Sequence, residues 1–157
     1  MHIERIRDEH REDVHKFFIE HWGSSEMVVS TGVYDCAELD GFIAKEEQQI
    51  VGLVTFEIRH QACEIISLDS LLEGKGVGSR LIEEVEQAAM QKGCTAVKLI
   101  TTNDNLHALH FYQKRGYQLS KLYPNAVEKA RTRKPSIPYI GNDGIPIRDE
   151  LELVKSL

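Results

Sequence analysis

Three glycines fall within five residues in the stretch Glu73-Gly74-Lys75-Gly76-Val77-Gly78-Ser79, and the rest of the chain is arranged around what they permit. Before them runs Cys63 to Leu68, apolar enough on both faces to read as a buried strand. After them, Val77 to Gln91 is strongly amphipathic and reads as a helix. Glycine lets the backbone curl where a side chain would clash. A curl at the start of a helix aims several unpaired N–H groups at one spot, with the helix dipole behind them. Such a spot suits an anion, phosphate above all; the plainer reading is a tight strand-to-helix turn without a ligand. Two familiar phosphate loops are excluded by spelling. A P-loop needs Lys followed by Ser or Thr, and Lys75 is followed by Gly76. A G-x-G-x-x-G fingerprint starting at Gly74 and Gly76 would need glycine at position 79, which is Ser79.

Taken in order, the chain reads as a mixture of strands and helices. His2 to Arg7 is a short strand, and Asp8 offers an N-cap for a helix ending near Trp22. Trp22-Gly23-Ser24-Ser25 opens a loop reaching to about Leu39. Gly41–Glu46, Ile50–Arg59 and Cys63–Leu68 form an antiparallel meander, with polar turns at Gln48-Gln49 and Gln61-Ala62. Beyond the glycine turn come the helix Val77–Gln91, ended by Gly93, and an apolar strand, Thr95 to Thr101. The latter suits a parallel neighbour of Cys63–Leu68 across the helix. A helix from Leu106 to Arg115 is capped by Asn103, Asp104 and Asn105 and ended by Gly116. Then follow a strand, Tyr117–Tyr123, a basic helix, Pro124–Lys134, a Pro- and Gly-rich loop, and a closing strand, Arg148–Val154. With no repeats or low-complexity linker, residues 1–157 read as a single α+β domain.

Charge and cysteine usage narrow the class. A net charge of −6 argues against general nucleic-acid binding and leaves room for a cationic or small-molecule partner. Cys36, Cys63 and Cys94 are widely spaced and form no C-x-x-C pair, so neither a disulfide framework nor a zinc site is expected, and the reducing cytoplasm is the expected compartment. No apolar run approaches bilayer length, so no membrane partner is expected.

The element order and two motifs together resemble the GNAT superfamily of acyl-CoA-dependent N-acyltransferases, most strongly from Glu64 to Gln118. The family signature, Gln/Arg-x-x-Gly-x-Gly/Ala, is matched at Gly76 and Gly78, while Glu73 departs from it. The second block, Asn105 through Tyr112 to Gly116-Tyr117, looks like the family's later motif. The resemblance implies an α+β fold with a mixed, mostly antiparallel central sheet flanked by helices and a parallel strand pair at the cofactor cleft. It implies that acetyl-CoA is the cosubstrate, with no metal, its pyrophosphate resting on the amides of Lys75, Gly76, Val77, Gly78 and Ser79. Leu68 matches the strand-end position whose backbone pairs with the pantetheine arm. Asn105 is implied to hydrogen-bond that arm, and Tyr112 to protonate the departing thiolate.

The chemistry suits those residue types. A thiol has a pKa of roughly 8.5 and tyrosine about 10, so a tyrosine can lend the leaving sulfur a proton. The acceptor, an amine on a small molecule or peptide, is mostly ammonium at neutral pH and needs a proton acceptor. Glu64, at the start of the central strand where family members often carry an acid, is the first candidate; Asp69 and Glu57 are alternatives. Trp22, with His15 and His21 near it, reads either as core or as pocket lining. The loop after Trp22 is where the family generally shapes its acceptor pocket. The segment Lys134–Glu150 matches no family motif and reads either as a clamp before the last strand or as a wall of the substrate site. A coenzyme A-binding module without catalysis is the competing function, motivated by Glu73 and the absence of an unambiguous base. Dimers are the commonest homo-oligomers, which makes a homodimer the default expectation.

Overall fold

Two residue pairs with positive φ close successive hairpins: Glu47 and Gln48 (φ 51° and 68°), then His60 and Gln61 (φ 49° and 66°). Left-handed pairs of this kind match the right-handed twist of the strands they join. They lie one residue earlier than the polar pairs predict. The strands on either side are β4 (Asp40–Glu46), β5 (Gln49–Arg59) and β6 (Ala62–Ser70). The computed structural model describes residues 1–157. Its chain divides into two compact units, one of Met1–Met27, Tyr34–Val97 and Leu157, the other of Val28–Val33 and Lys98–Ser156.

In the first unit, β1 (His2–Arg5), β4, β5 and β6 lie in that order, each antiparallel to its neighbour. The predicted N-cap at Asp8 is replaced by a one-turn 3-10 segment, Asp8–His10. There the Arg7 N–H donates to Nδ1 of His10 (2.9 Å), and buried His10 turns Nε2 to Glu4 (3.0 Å). Helix α1 (Arg11–Trp22) follows and ends on left-handed Gly23. The expected loop after it holds a small hairpin, β2 (Glu26–Val29) and β3 (Gly32–Asp35). Helix α2 spans Val77–Gln91, as its apolar stripe predicts, and packs on β4, β5 and β6. Val77, Leu81, Val85 and Ala89 are fully buried, with Ile43, Leu53 and Val54 in the same core.

Gly52 decides how closely α2 reaches the sheet. A Cβ there would stand 2.5 Å from Cγ1 of Val77 and 3.1 Å from Cδ1 of Leu81. Gly52→Ala is therefore expected to cost about 1–3 kcal/mol through overpacking, read as a lower urea midpoint at unchanged slope.

The fold is mixed α+β, mostly antiparallel, with β6 and β7 (Ala96–Thr102) as the parallel pair. β7 opens in the first unit, where the Thr95 N–H donates to the Gln61 carbonyl (2.8 Å). The second unit carries β7, β9 (Glu150–Ser156) and β8 (Gln118–Tyr123) in that order, with β8 antiparallel to β9. Its helices are α3 (Leu106–Gln113) and α4 (Ala126–Arg133). The tip of the β2–β3 hairpin is held there: Ser30 donates from both its N–H (2.9 Å) and its hydroxyl (2.7 Å) to Oε1 of buried Glu150.

Candidate active site

The glycine turn is a left-handed curl. Gly74 and Gly76 have φ of 70° and 71°, and a Cβ at either would meet nothing within 4 Å. Gly76 is also the N-cap of α2, no side chain caps the helix, and its first turn carries no acid. An uncapped 15-residue helix start presents donors and a positive dipole end to whatever approaches. These groups fit a pyrophosphate: backbone donors in the turn, open space in front, and the exposed Lys75 ammonium beside them. Glu73 is exposed as well.

The strand leading to this turn ends in an unusual carboxylate. Leu68 pairs with Val54, and Asp69 with Leu53. Oδ1 of Asp69 accepts from the indole N–H of Trp22 (2.9 Å), while Oδ2 is out of solvent and accepts from nothing. Burial pushes the Asp69 carboxyl up to about 6 from its ordinary 3.8; the Trp22 hydrogen bond and nearby His21 pull it part of the way back. A carboxyl raised in the folded state stabilises the fold fully below pH 3.8 and loses that contribution as pH rises through about 6. Trp22 itself is 40% exposed and packs edge-on against Phe18. It thus combines an exposed ring with a hydrogen bond to a partly buried carboxylate, which a core tryptophan would not show.

The other two carboxylates sit elsewhere on the sheet. Glu64 is buried and directly opposite Glu57 in the β5–β6 register. Arg59 joins their group, bonding Glu57 at 2.9 Å and the Tyr34 hydroxyl at 3.3 Å; its guanidinium is held protonated by Glu57 first, with Tyr34 and Glu64 adding to the effect. A β-bulge separates Glu64 from the strand end, since Thr55 faces Ser67 while Phe56 faces Ile65. All three cysteines are buried and free. Burial pushes the Cys36 thiol up to about 11 and Cys63 to about 12, so neither is a thiolate at neutral pH.

In the second unit, Asn105 caps α3, its Oδ1 accepting from the Ala108 N–H (3.0 Å). That leaves its Nδ2 to donate elsewhere. Tyr112 is buried, its ring edge-on to Phe111 (5.1 Å) and Tyr117 (5.4 Å between centroids). Asn103 and Asp104, read as helix caps, hold the tail loop instead. Asn103 accepts from the N–H groups of Arg148 and Asp149 and donates to the Pro146 carbonyl. Asp104, buried, takes the Thr102 hydroxyl on one oxygen and the Asn142 N–H on the other. Arg131 donates to the carbonyls of Ile137, Pro138 and Ile147 and lies over the Tyr139 ring. The loop is therefore tied down along its backbone. Its outer side and α4 border an open pocket of about 640 Å³ that includes Asn125, Glu128, Tyr139 and Arg148.

Leu68 and the turn residues Lys75 to Ser79 thus follow one another in the first unit, while Asn105, the N-cap of α3, and Tyr112, within α3, belong to the second. Sequence reasoning missed the Trp22–Asp69 pair and the tail anchors. No group of three or more His, Cys, Asp or Glu is placed to hold a metal, and no helix is long and apolar enough to cross a membrane.

The fold is thus a mixed α+β sheet with one parallel pair, and the start of its longest helix lies behind left-handed glycines. The model of the acetyltransferase (GNAT) family matches residues 4–117, and the chain belongs to that family. It is 56% identical over 145 residues to the Bacillus subtilis (strain 168) uncharacterized protein YxbD, covering 92% of this chain and 91% of that one. Among solved structures it resembles an IAA acetyltransferase from Bacillus cereus, with TM-score 0.76 and 22% identity over 99% of both chains. It also resembles a GNAT family acetyltransferase from Elizabethkingia anophelis with acetyl-CoA bound, with TM-score 0.72 and 18% identity over 99% of this chain and 97% of that one.

Proposed function

We propose that the protein transfers an acetyl group from acetyl-CoA to a primary amine of a small molecule or peptide by direct attack, residues 1–157 acting as one cytoplasmic catalytic domain. The observation that carries the reading is the uncapped start of α2 behind Gly74 and Gly76, in a chain of the acetyltransferase family. The amides from Lys75 to Ser79 hold the pyrophosphate, the backbone at Leu68 and Nδ2 of Asn105 hold the arm, and acetyl-CoA supplies the activated acyl group. The amine must lose a proton to a carboxylate of β6, of which Glu64 and Asp69 are the candidates. Its nitrogen then forms the amide bond as the carbon–sulfur bond breaks, and Tyr112 gives a proton to the sulfur. Cysteines held as thiols speak for direct attack over an acyl-enzyme.

The test is release of free coenzyme A thiol from acetyl-CoA over a panel of alkyl, aryl and peptide amines, with products weighed by mass spectrometry. Amine-dependent thiol release with an acetylated product is expected. Acetyl-CoA binding with no acetylated product from the whole panel would instead identify a coenzyme A-binding module.

A further inference from the structure

Asp69 carries an unmet demand. An ionised carboxylate has about four acceptor sites, and a buried one without partners is costly. Trp22 satisfies Oδ1, while Oδ2 is buried and unpartnered. The groups around it do not supply the missing donor. From α1 come the Trp22 indole and His21; from the 3-10 turn Cys36–Glu38 comes the Cys36 thiol, which Asp69 itself helps to keep protonated; across the ladder on β5 stands apolar Leu53. Asp69 also follows Leu68 directly, next to the backbone assigned above to the pantetheine arm. Glu64 stands five residues back, about 15 Å at strand spacing, beyond the bulge and beside Arg59. The two carboxylates therefore cannot serve the same reacting nitrogen.

We propose that the Asp69 carboxyl, anchored by Trp22, takes the proton of the acceptor's ammonium, in place of Glu64. This rests on the acetyl-transfer reading above. The ammonium gives one proton to the carboxylate, leaving a neutral amine and a carboxylic acid. The amine nitrogen bonds to the thioester carbon and sheds a second proton to water. The carbon–sulfur bond breaks, the thiolate takes the Tyr112 proton, and both side chains are reset through solvent, with one net proton released. Burial favours the role, because a carboxyl lifted to about 6 is a better base for an ammonium than one at 3.8.

The experiment has two arms. In the first, kcat/KM for a good amine is followed from pH 5 to 9. An acid limb near pH 6 is expected in the unsubstituted protein; Asp69→Asn should lower kcat about 10²–10⁴-fold, abolish that limb and leave the acetyl-CoA KM unchanged. Glu64→Gln and His21→Gln should both retain the limb. A limb that survives Asp69→Asn, or disappears in Glu64→Gln, overturns the proposal. The second arm needs no turnover. Trp22 is the only tryptophan, so its indole N–H resonance reports Asp69 directly. It should titrate near pH 6, do so no longer in Asp69→Asn, and shift to a lower midpoint with benzylamine as the ammonium probe. A midpoint that benzylamine does not move overturns the assignment even where no substrate is known. Inactivity towards every amine would instead strike the acetyl-transfer reading itself.

Discussion

Tyr112→Phe is expected to lower kcat about 10²–10⁴-fold, the range a positioned general acid contributes, with little change in acetyl-CoA affinity. The ring is buried and set edge-on between Phe111 and Tyr117, contacts that phenylalanine keeps. The ring packing should therefore survive, and a thermal melt of the variant separates any loss of stability from loss at the chemical step. The sharper check uses a thioester whose thiol is more acidic than coenzyme A. A better leaving group needs less help from a proton donor, so the gap between Tyr112→Phe and the parent should shrink with it. Equal turnover of the two proteins with ordinary acetyl-CoA and a good amine would remove Tyr112 from the mechanism.

The second large effect is expected at Gly76. Its φ of 71° lies where a β-branched residue is a steric outlier, and it caps the helix that carries the turn amides. Gly76→Val is expected to weaken acetyl-CoA binding tenfold or more by calorimetry, about 1.4 kcal/mol, and to cost about 1–2 kcal/mol of stability through the strained backbone. A Cβ meets nothing there, so the loss would come from backbone geometry and not from a clash inside the protein. The companion Glu73→Gln removes an exposed negative charge just before the turn and should tighten binding by about 0.3–1 kcal/mol. Unaltered binding in Gly76→Val would refute the pyrophosphate seat.

The sequence disclosed what is written locally. The bounds of α2 follow from its stripe and from the glycines before and after it, and the β4–β5–β6 meander follows from alternation broken by polar turns. Where contacts are distant, local reading failed. The hairpin of β2 and β3 is only four residues a side and is held at its tip by Glu150, 120 positions away. Asn103 and Asp104 carry a cap's chemistry, yet they serve the tail loop, which nothing beside them in sequence reveals. The candidate site divides the same way. Its glycines, Asn105 and Tyr112 stand in motifs, whereas the character of Asp69 comes from Trp22, 47 residues away, and from burial that composition does not encode.

The backbone ties on the tail have a consequence for finding this protein's nearest kin. The loop from Pro135 to Asp149 is gripped through its own backbone, by side chains at Asn103, Asp104 and Arg131. Gly141 completes the set, because a Cβ there would stand 2.1 Å from an Asp104 oxygen. Of the loop's own side chains, Tyr139 packs under Arg131 and Asp149 accepts from the Asn125 N–H. The positions outside the loop's ordinary side chains that set its course are then four, Asn103, Asp104, Arg131 and Gly141. A search keyed to them should pick out chains with the same tail even where the loop itself has become unalignable.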